Sequence, residues 1–218
     1  MKVLILAGGL GTRMRPLSFV VPKPLIAYNK KPILEHIIEQ LFSQGINDIV
    51  ISLGYGANLI EAYCNIKQWG VKLVTESNSL GTAGPIQLID FDTPLIVMNG
   101  DIITNIQFRN LYNFHTKTKA DITVVCKEMF FTPNFGLIQL EDNRVKRILE
   151  RPTYSYLISC GIYVINPEMK MYIKECIDFP QLINKVLSYN HLVYAYMINE
   201  KDGESWIAIE EVSQLEKL

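Results

Sequence analysis

Three short segments of this chain are apolar at nearly every position: residues 3–7, 49–53 and 94–98. A fourth, residues 71–75, is more mixed. Segments of that length are predicted as β-strands, and strands apolar on both faces are predicted to lie inside a parallel sheet covered on both sides. Between them the period changes. Ile33, Leu34, Ile37, Ile38, Leu41 and Phe42 recur at helical spacing after Pro32 and stop at Gly45, which predicts an amphipathic helix with a proline start and a glycine end. A second helix is predicted over 58–67, and a short one over 82–89, entered through Gly81. Pro22-Lys23-Pro24 reads as a stiff extended connection, because each proline fixes φ and removes a donor.

The second half is richer in strands. A helix at 108–117 is followed by expected strands at 121–126, 135–140, 145–150 and 157–165, read as a meander appended to the parallel half. Helices at 167–176 and 180–189, strands at 192–197 and 206–209, and a terminal helix complete the expectation. Strand–helix alternation followed by a strand-rich half predicts an α/β fold: a three-layer, Rossmann-like, mixed but mainly parallel sheet with helices on both faces. No linker, repeat or low-complexity tract interrupts the 218 residues, so one domain over 1–218 is expected.

Composition narrows the classes of function. The formal net charge is −1, so no global basic field points to nucleic acid. The four cysteines, Cys64, Cys126, Cys160 and Cys176, form no C-x-x-C pair and suggest buried free thiols rather than zinc ligands or disulfides. The run before the first glycines is shorter than a signal peptide's apolar core, and no run approaches a membrane span. A cytoplasmic protein with no membrane partner is expected, with homo-oligomerisation open.

Candidate chemistry starts at the end of the first strand. Leu6-Ala7-Gly8-Gly9-Leu10-Gly11-Thr12-Arg13-Met14-Arg15 places three glycines and two arginines in one loop, with Lys23 close behind. Position 14 is Met, so the third glycine of a dinucleotide fingerprint is missing, and no G-K-[ST] of a Walker A loop follows. The donors that remain, backbone N–H groups and cations, suit a polyphosphate. Asn99-Gly100-Asp101 ends an apolar strand with a carboxylate, a ligand type that suits Mg²⁺ beside phosphate. In open α/β sheets such ligands gather outside the carboxyl ends of the strands. His36, His115 and His191 are isolated and read as structural, and Glu210, Glu211 and Glu216 read as a solvated face.

Leu6–Arg13 with Pro16-Leu17 and Pro22-Lys23-Pro24 resembles the signature of the sugar-1-phosphate nucleotidyltransferases. The resemblance continues through Leu80–Gly84, Val97–Asp101, Phe135-Gly136, Glu150-Arg151-Pro152, Gly161–Tyr163 and Trp206–Ile209. It implies transfer of a nucleotidyl group from an NTP to a sugar 1-phosphate, with Mg²⁺ as cofactor. Short bacterial mannose-, heptose- or aminosugar-1-phosphate enzymes are the nearest group, which suggests GTP and surface-glycan biosynthesis. Carried over residue by residue, the resemblance implies catalytic roles for Arg13, Lys23 and Asp101, with Asp101 also the metal ligand. It implies nucleotide contacts from Leu6, Ala7, Gly8, Gly9, Gly11, Thr12, Glu76 and Gly81, and sugar-phosphate contacts from Gly136, Glu150, Arg151 and Gly161. Two positions depart from the family. Arg151 stands where a lysine is usual, and Ala208 stands where a second metal-binding aspartate is usual. Glu210, two residues on, is the candidate replacement. A homologue that binds nucleotide or sugar phosphate without catalysis is the competing reading.

Overall fold

The structure, a computed structural model, describes residues 1–174 and 176–215. Its elements in chain order are β1 (Lys2–Ala7), β2 (Ala27–Tyr28), β3 (Lys31–Pro32), α1 (Ile33–Ser43), β4 (Asp48–Leu53), α2 (Ala57–Lys67), β5 (Lys72–Thr75), β6 (Leu95–Asn99), β7 (Ile102–Thr104), α3 (Phe108–Thr118), β8 (Ile122–Phe131), β9 (Leu137–Glu141), β10 (Arg144–Leu149), β11 (Tyr154–Ile165), α4 (Phe179–Ser188), β12 (Val193–Met197) and β13 (Trp206–Ala208). The main sheet has the strand order β12-β8-β11-β6-β1-β4-β5. β6, β1, β4 and β5 run parallel, as do β12 and β8, while β11 is antiparallel to both of its neighbours. The sheet is therefore mixed and mainly parallel, as expected from the sequence.

The residues of β1 show why. Val3, Ile5 and Ala7 pack on one face with Ile37 and Ile38 of α1, Ile60 of α2 and Phe108 of α3. Leu4 packs on the other face with Ile86, with Met169 and with Phe179 and Leu182 of α4. A strand with two covered faces has no polar position to offer, hence its unbroken apolar run.

Several expectations change in detail. The segment at Pro22–Pro24 is not extended: Lys23–Leu25 is a single 3-10 turn, because a proline's φ also fits a first helical turn. The short helices expected at 82–89 and 167–176 are 3-10 segments at Gly84–Leu88 and Pro167–Tyr172. Residue 175 lies outside the described residues. The terminal helix reduces to a 3-10 turn, Val212–Gln214, and the rest of that expectation, residues 216–218, lies outside the described residues. The meander is corrected too. β11 inserts between β6 and β8, and β9 with β10 forms a separate hairpin. Cross-strand pairing over ten residues with β8 carries β11 past the hairpin and into the sheet, and period alone cannot reveal that partner choice. Cys64 and Cys160 are buried, Cys126 is half-buried and Cys176 exposed, all as free thiols. Burial pushes the Cys64 thiol up to about 11 and the Cys160 thiol up to about 12.

His115 on α3 is structural. Its Nε2 lies 2.9 Å from Asn166 Oδ1, an acceptor, so Nε2 carries the proton. Its Nδ1 then accepts from Thr123 Oγ1 at 2.9 Å. Burial lowers the ring's pKa, with the Asn166 bond opposing, so the folded protein holds it neutral. The unfolded chain takes up that proton below its ordinary value of 6.5, so stability should fall as pH drops through and below that point. Thermal melts between pH 7 and 5 should show this fall, and a His115→Gln variant should show a shallower slope. An unchanged slope would remove His115 as its source.

Candidate active site at the carboxyl ends of the strands

The glycine loop leaves β1 and is held by contacts only glycine permits. Tyr55 N–H donates to Gly8 O at 3.1 Å, and a Cβ on Gly54 would sit 2.6 Å from that same oxygen. Gly11 has φ +59°, in the left-handed region, and starts the 3-10 turn Thr12–Met14. On the neighbouring strand, Gly100 N–H donates to Leu6 O at 2.8 Å, where a Cβ on Gly100 would lie 2.6 Å from Leu6 O. That contact docks the Asn99–Asp101 turn against the end of β1. The loop and Asp101 are therefore neighbours across parallel strands, as the topology rule predicts.

Two clefts meet at this turn. The first, of about 400 Å³, is lined by Leu6, Ala7, Gly8, Gly9, Gly11, Thr12, Arg13, Lys23, Glu76 and Gly81, together with Asn99, Asp101 and Asp178. The second, of about 430 Å³, is lined by Gly161, Trp206, Ala208 and Glu210, and it shares Asn99 and Asp101 with the first. Lys23 Nζ is ion-paired to Asp101 Oδ2, and both side chains are largely buried, 11% and 20% exposed. Arg13 Nη1 pairs with Glu210 Oε2 at 2.7 Å. The site thus carries two cations and two carboxylates at the junction of two cavities. Arg15 is turned away, its guanidinium 4.8 Å from the centre of the Phe19 ring.

Glu76 is fully engaged. It accepts from Ser52 Oγ at 2.7 Å and from Leu80 N–H at 3.1 Å, so it braces the 76–81 loop at the cleft wall. Gly81 has φ +74°, and a Cβ there would sit 2.6 Å from Ile177 O. Asp178, just before α4, accepts from Thr82 N–H at 2.8 Å and Thr82 Oγ1 at 3.1 Å. Gly161, φ +66°, sits in the β-bulge where the register of β11 shifts. A Cβ there would lie 2.5 Å from Asn99 Nδ2, so the bulge makes room for the Asn99 amide.

Gly136, Glu150 and Arg151 are brought together but lie elsewhere. Gly136 packs against the Glu150 carboxylate, where a Cβ would be 3.2 Å from Oε2, and Arg151 Nε stands 3.7 Å from Glu150 Oε1. All three flank the β9–β10 hairpin, outside the lining of both clefts, with the Glu150 and Arg151 side chains 78% and 69% exposed. Ala208 lies against Asp101: it pairs with Ile102 across β13 and β7, and Ile209 N–H donates to Asp101 O at 2.9 Å.

Sequence reasoning missed Gly54, Ser52 and Asp178. Gly54-Tyr55-Gly56 directly after an apolar strand was a usable signal for a close backbone approach. Asp178 before Phe179-Pro180 was readable as a helix start, but not as a wall of this cleft.

A glycine loop and an aspartate at adjacent strand ends, with two cations beside them, make an α/β protein with a site suited to a polyanion. The chain belongs to the nucleotidyl transferase family, whose sequence model matches residues 2–206. Among curated proteins it is 34% identical to a mannose-1-phosphate guanyltransferase of Yarrowia lipolytica, over 91% of this chain and 60% of that protein. It is 35% identical to the mannose-1-phosphate guanylyltransferase catalytic subunit beta of Danio rerio, over 78% of this chain and 51% of that protein. The chain thus spans between half and three-fifths of the length of these relatives. Among solved structures, HddC from Yersinia pseudotuberculosis complexed with GMP-PN shares the fold, with a TM-score of 0.75 at 24% identity over 99% of this chain and 96% of that one.

Proposed function

We propose that this protein transfers a nucleotidyl group from an NTP, GTP by preference, to a sugar 1-phosphate, forming an NDP-sugar and pyrophosphate for surface-glycan synthesis in the cytoplasm. The observation that carries this reading is the junction of two clefts at one cation–carboxylate pair, Lys23–Asp101, with the glycine loop and Arg13 on the triphosphate side. The preference for GTP follows from the guanyltransferases among its relatives.

The chemistry needs no covalent enzyme intermediate. A sugar-phosphate oxygen forms the new bond to the α-phosphorus, and the bond to pyrophosphate breaks, its electron pair leaving with the pyrophosphate. Backbone from Leu6 to Gly11, with Thr12, cradles the nucleotide, and the loop braced by Glu76 and Gly81 bounds the base and ribose. Lys23 neutralises charge on the α-phosphate and Arg13 on the departing pyrophosphate. Gly161 lies at the sugar end; Gly136, Glu150 and Arg151, which the resemblance assigns to the sugar phosphate, flank the β9–β10 hairpin outside both clefts.

The donor set suits Mg²⁺ bound through one carboxylate. Asp101 borders both clefts, Ala208 offers no ligand, and among the described residues no group of three or more His, Cys, Asp and Glu is gathered. Mg²⁺ often takes one or two protein carboxylates and completes its shell with phosphate and water. When bound at Asp101 it would neutralise phosphate charge.

The test is a matrix of four NTPs against mannose, heptose and aminosugar 1-phosphates, read by pyrophosphate release with and without Mg²⁺. Sugar-phosphate-dependent release, largest with GTP, is expected. NTP binding without release on any sugar phosphate would overturn the reading.

A further inference from the structure

Arg13 lines the first cleft and Glu210 the second, and their 2.7 Å ion pair spans the junction. Both side chains are substantially exposed, 62% and 43%, so the pair is weak and easily exchanged. The backbone carrying Glu210 is held separately. Glu210 N–H donates to Gln214 Oε1 at 2.6 Å, and Gln214 Nε2 donates to Ala208 O at 2.8 Å. Ile209 is fully buried, and its N–H is bound to Asp101 O. Glu210 can therefore release Arg13 by a side-chain rotation alone, leaving its strand end in place.

A carboxylate and a phosphate oxygen take the same charge-assisted bonds from a guanidinium. Resting on the proposed role of Arg13 toward polyphosphate, we propose that Glu210 is an exchangeable stand-in for substrate phosphate on Arg13. In the free protein its carboxylate occupies the guanidinium. Binding of a polyphosphate displaces it, and Glu210 takes Arg13 back as pyrophosphate departs. Glu210 thus positions Arg13 between turnovers and weakens the hold on the leaving product.

The experiment is calorimetric titration of inorganic tripolyphosphate, with EDTA present, into the wild-type chain, Glu210→Gln, Arg13→Ala, the double variant and Glu211→Gln, with thermal melts confirming folding. Without its competitor, Arg13 in Glu210→Gln should bind tripolyphosphate about twofold to fivefold more tightly, the range an exposed ion pair allows. Glu211→Gln removes the same charge one residue away and should leave affinity unchanged. In the double variant the gain should vanish, leaving the affinity of Arg13→Ala. A Glu210→Gln variant that binds no tighter, or that gains equally without Arg13, overturns the exchange while Arg13's role stands. Equal binding by wild type and Arg13→Ala overturns the role of Arg13, and the exchange with it.

Discussion

Replacing Lys23 by alanine is expected to slow pyrophosphate release roughly 10²–10³-fold, the usual cost of removing one preorganised donor to developing charge. The effect has two sources. The cation assigned to the α-phosphate is gone, and the Asp101 carboxylate loses the ammonium it pairs with. The backbone should survive, because the 3-10 turn carrying Lys23 is held by Leu25 N–H to Pro22 O at 2.8 Å and Ile26 N–H to Lys23 O at 3.1 Å. The loss should therefore appear in kcat/KM beyond the fall in melting temperature expected from leaving the largely buried Asp101 without its partner. Lys23→Arg should rescue poorly, since a planar fork does not fit the small space of an ammonium beside Asp101. Turnover of Lys23→Ala near the wild-type rate would remove Lys23 from the chemistry.

The second large effect is expected at a residue that touches no substrate. A Cβ on Gly54 would meet three backbone atoms of Gly8, at 2.6, 2.9 and 3.1 Å. Neither partner can yield cheaply, since β1 and β4 are paired along their whole length from Lys2 with Asp48 to Ala7 with Leu53. Gly54→Ala should lose about 1–3 kcal/mol of stability through overpacking. It should also push the glycine loop into its own cleft and weaken NTP binding about tenfold, equivalent to about 1.4 kcal/mol. Denaturant melts and nucleotide titration measure the two. Gly9→Ala is the control for stability, because nothing lies within 4 Å of its would-be Cβ. A Gly54→Ala protein with wild-type stability and affinity would show that the loop does not depend on this approach.

The competing reading, a homologue without catalysis, was motivated by Ala208. In the structure Ala208 leaves Asp101 as the carboxylate common to both clefts, and Glu210 is engaged with Arg13. Those contacts keep Arg13, Lys23 and Asp101 gathered at one junction.

Much of this was legible in the chain because it depends on local rules. Strands 3–7, 49–53 and 94–98 were readable because a strand covered on both faces must be apolar throughout. Helix α1 was readable because its buried positions repeat at helical spacing between Pro32 and Gly45. The loop of Gly8, Gly9 and Gly11 with Arg13, and the turn ending in Asp101, were readable because those residue types at strand ends have few other uses. What local rules could not supply was partner choice. The placement of β11 between β6 and β8 depends on pairings more than twenty residues apart, and so does the separation of the β9–β10 hairpin from both clefts. The sequence by itself thus determined the apolar strands, their two covered faces and the glycine loop. Only the tertiary structure decided that Glu210 meets Arg13, that Gly54 backs Gly8 and that Asp178 walls the cleft, because each joins segments whose separation along the chain carries no record of their distance in space.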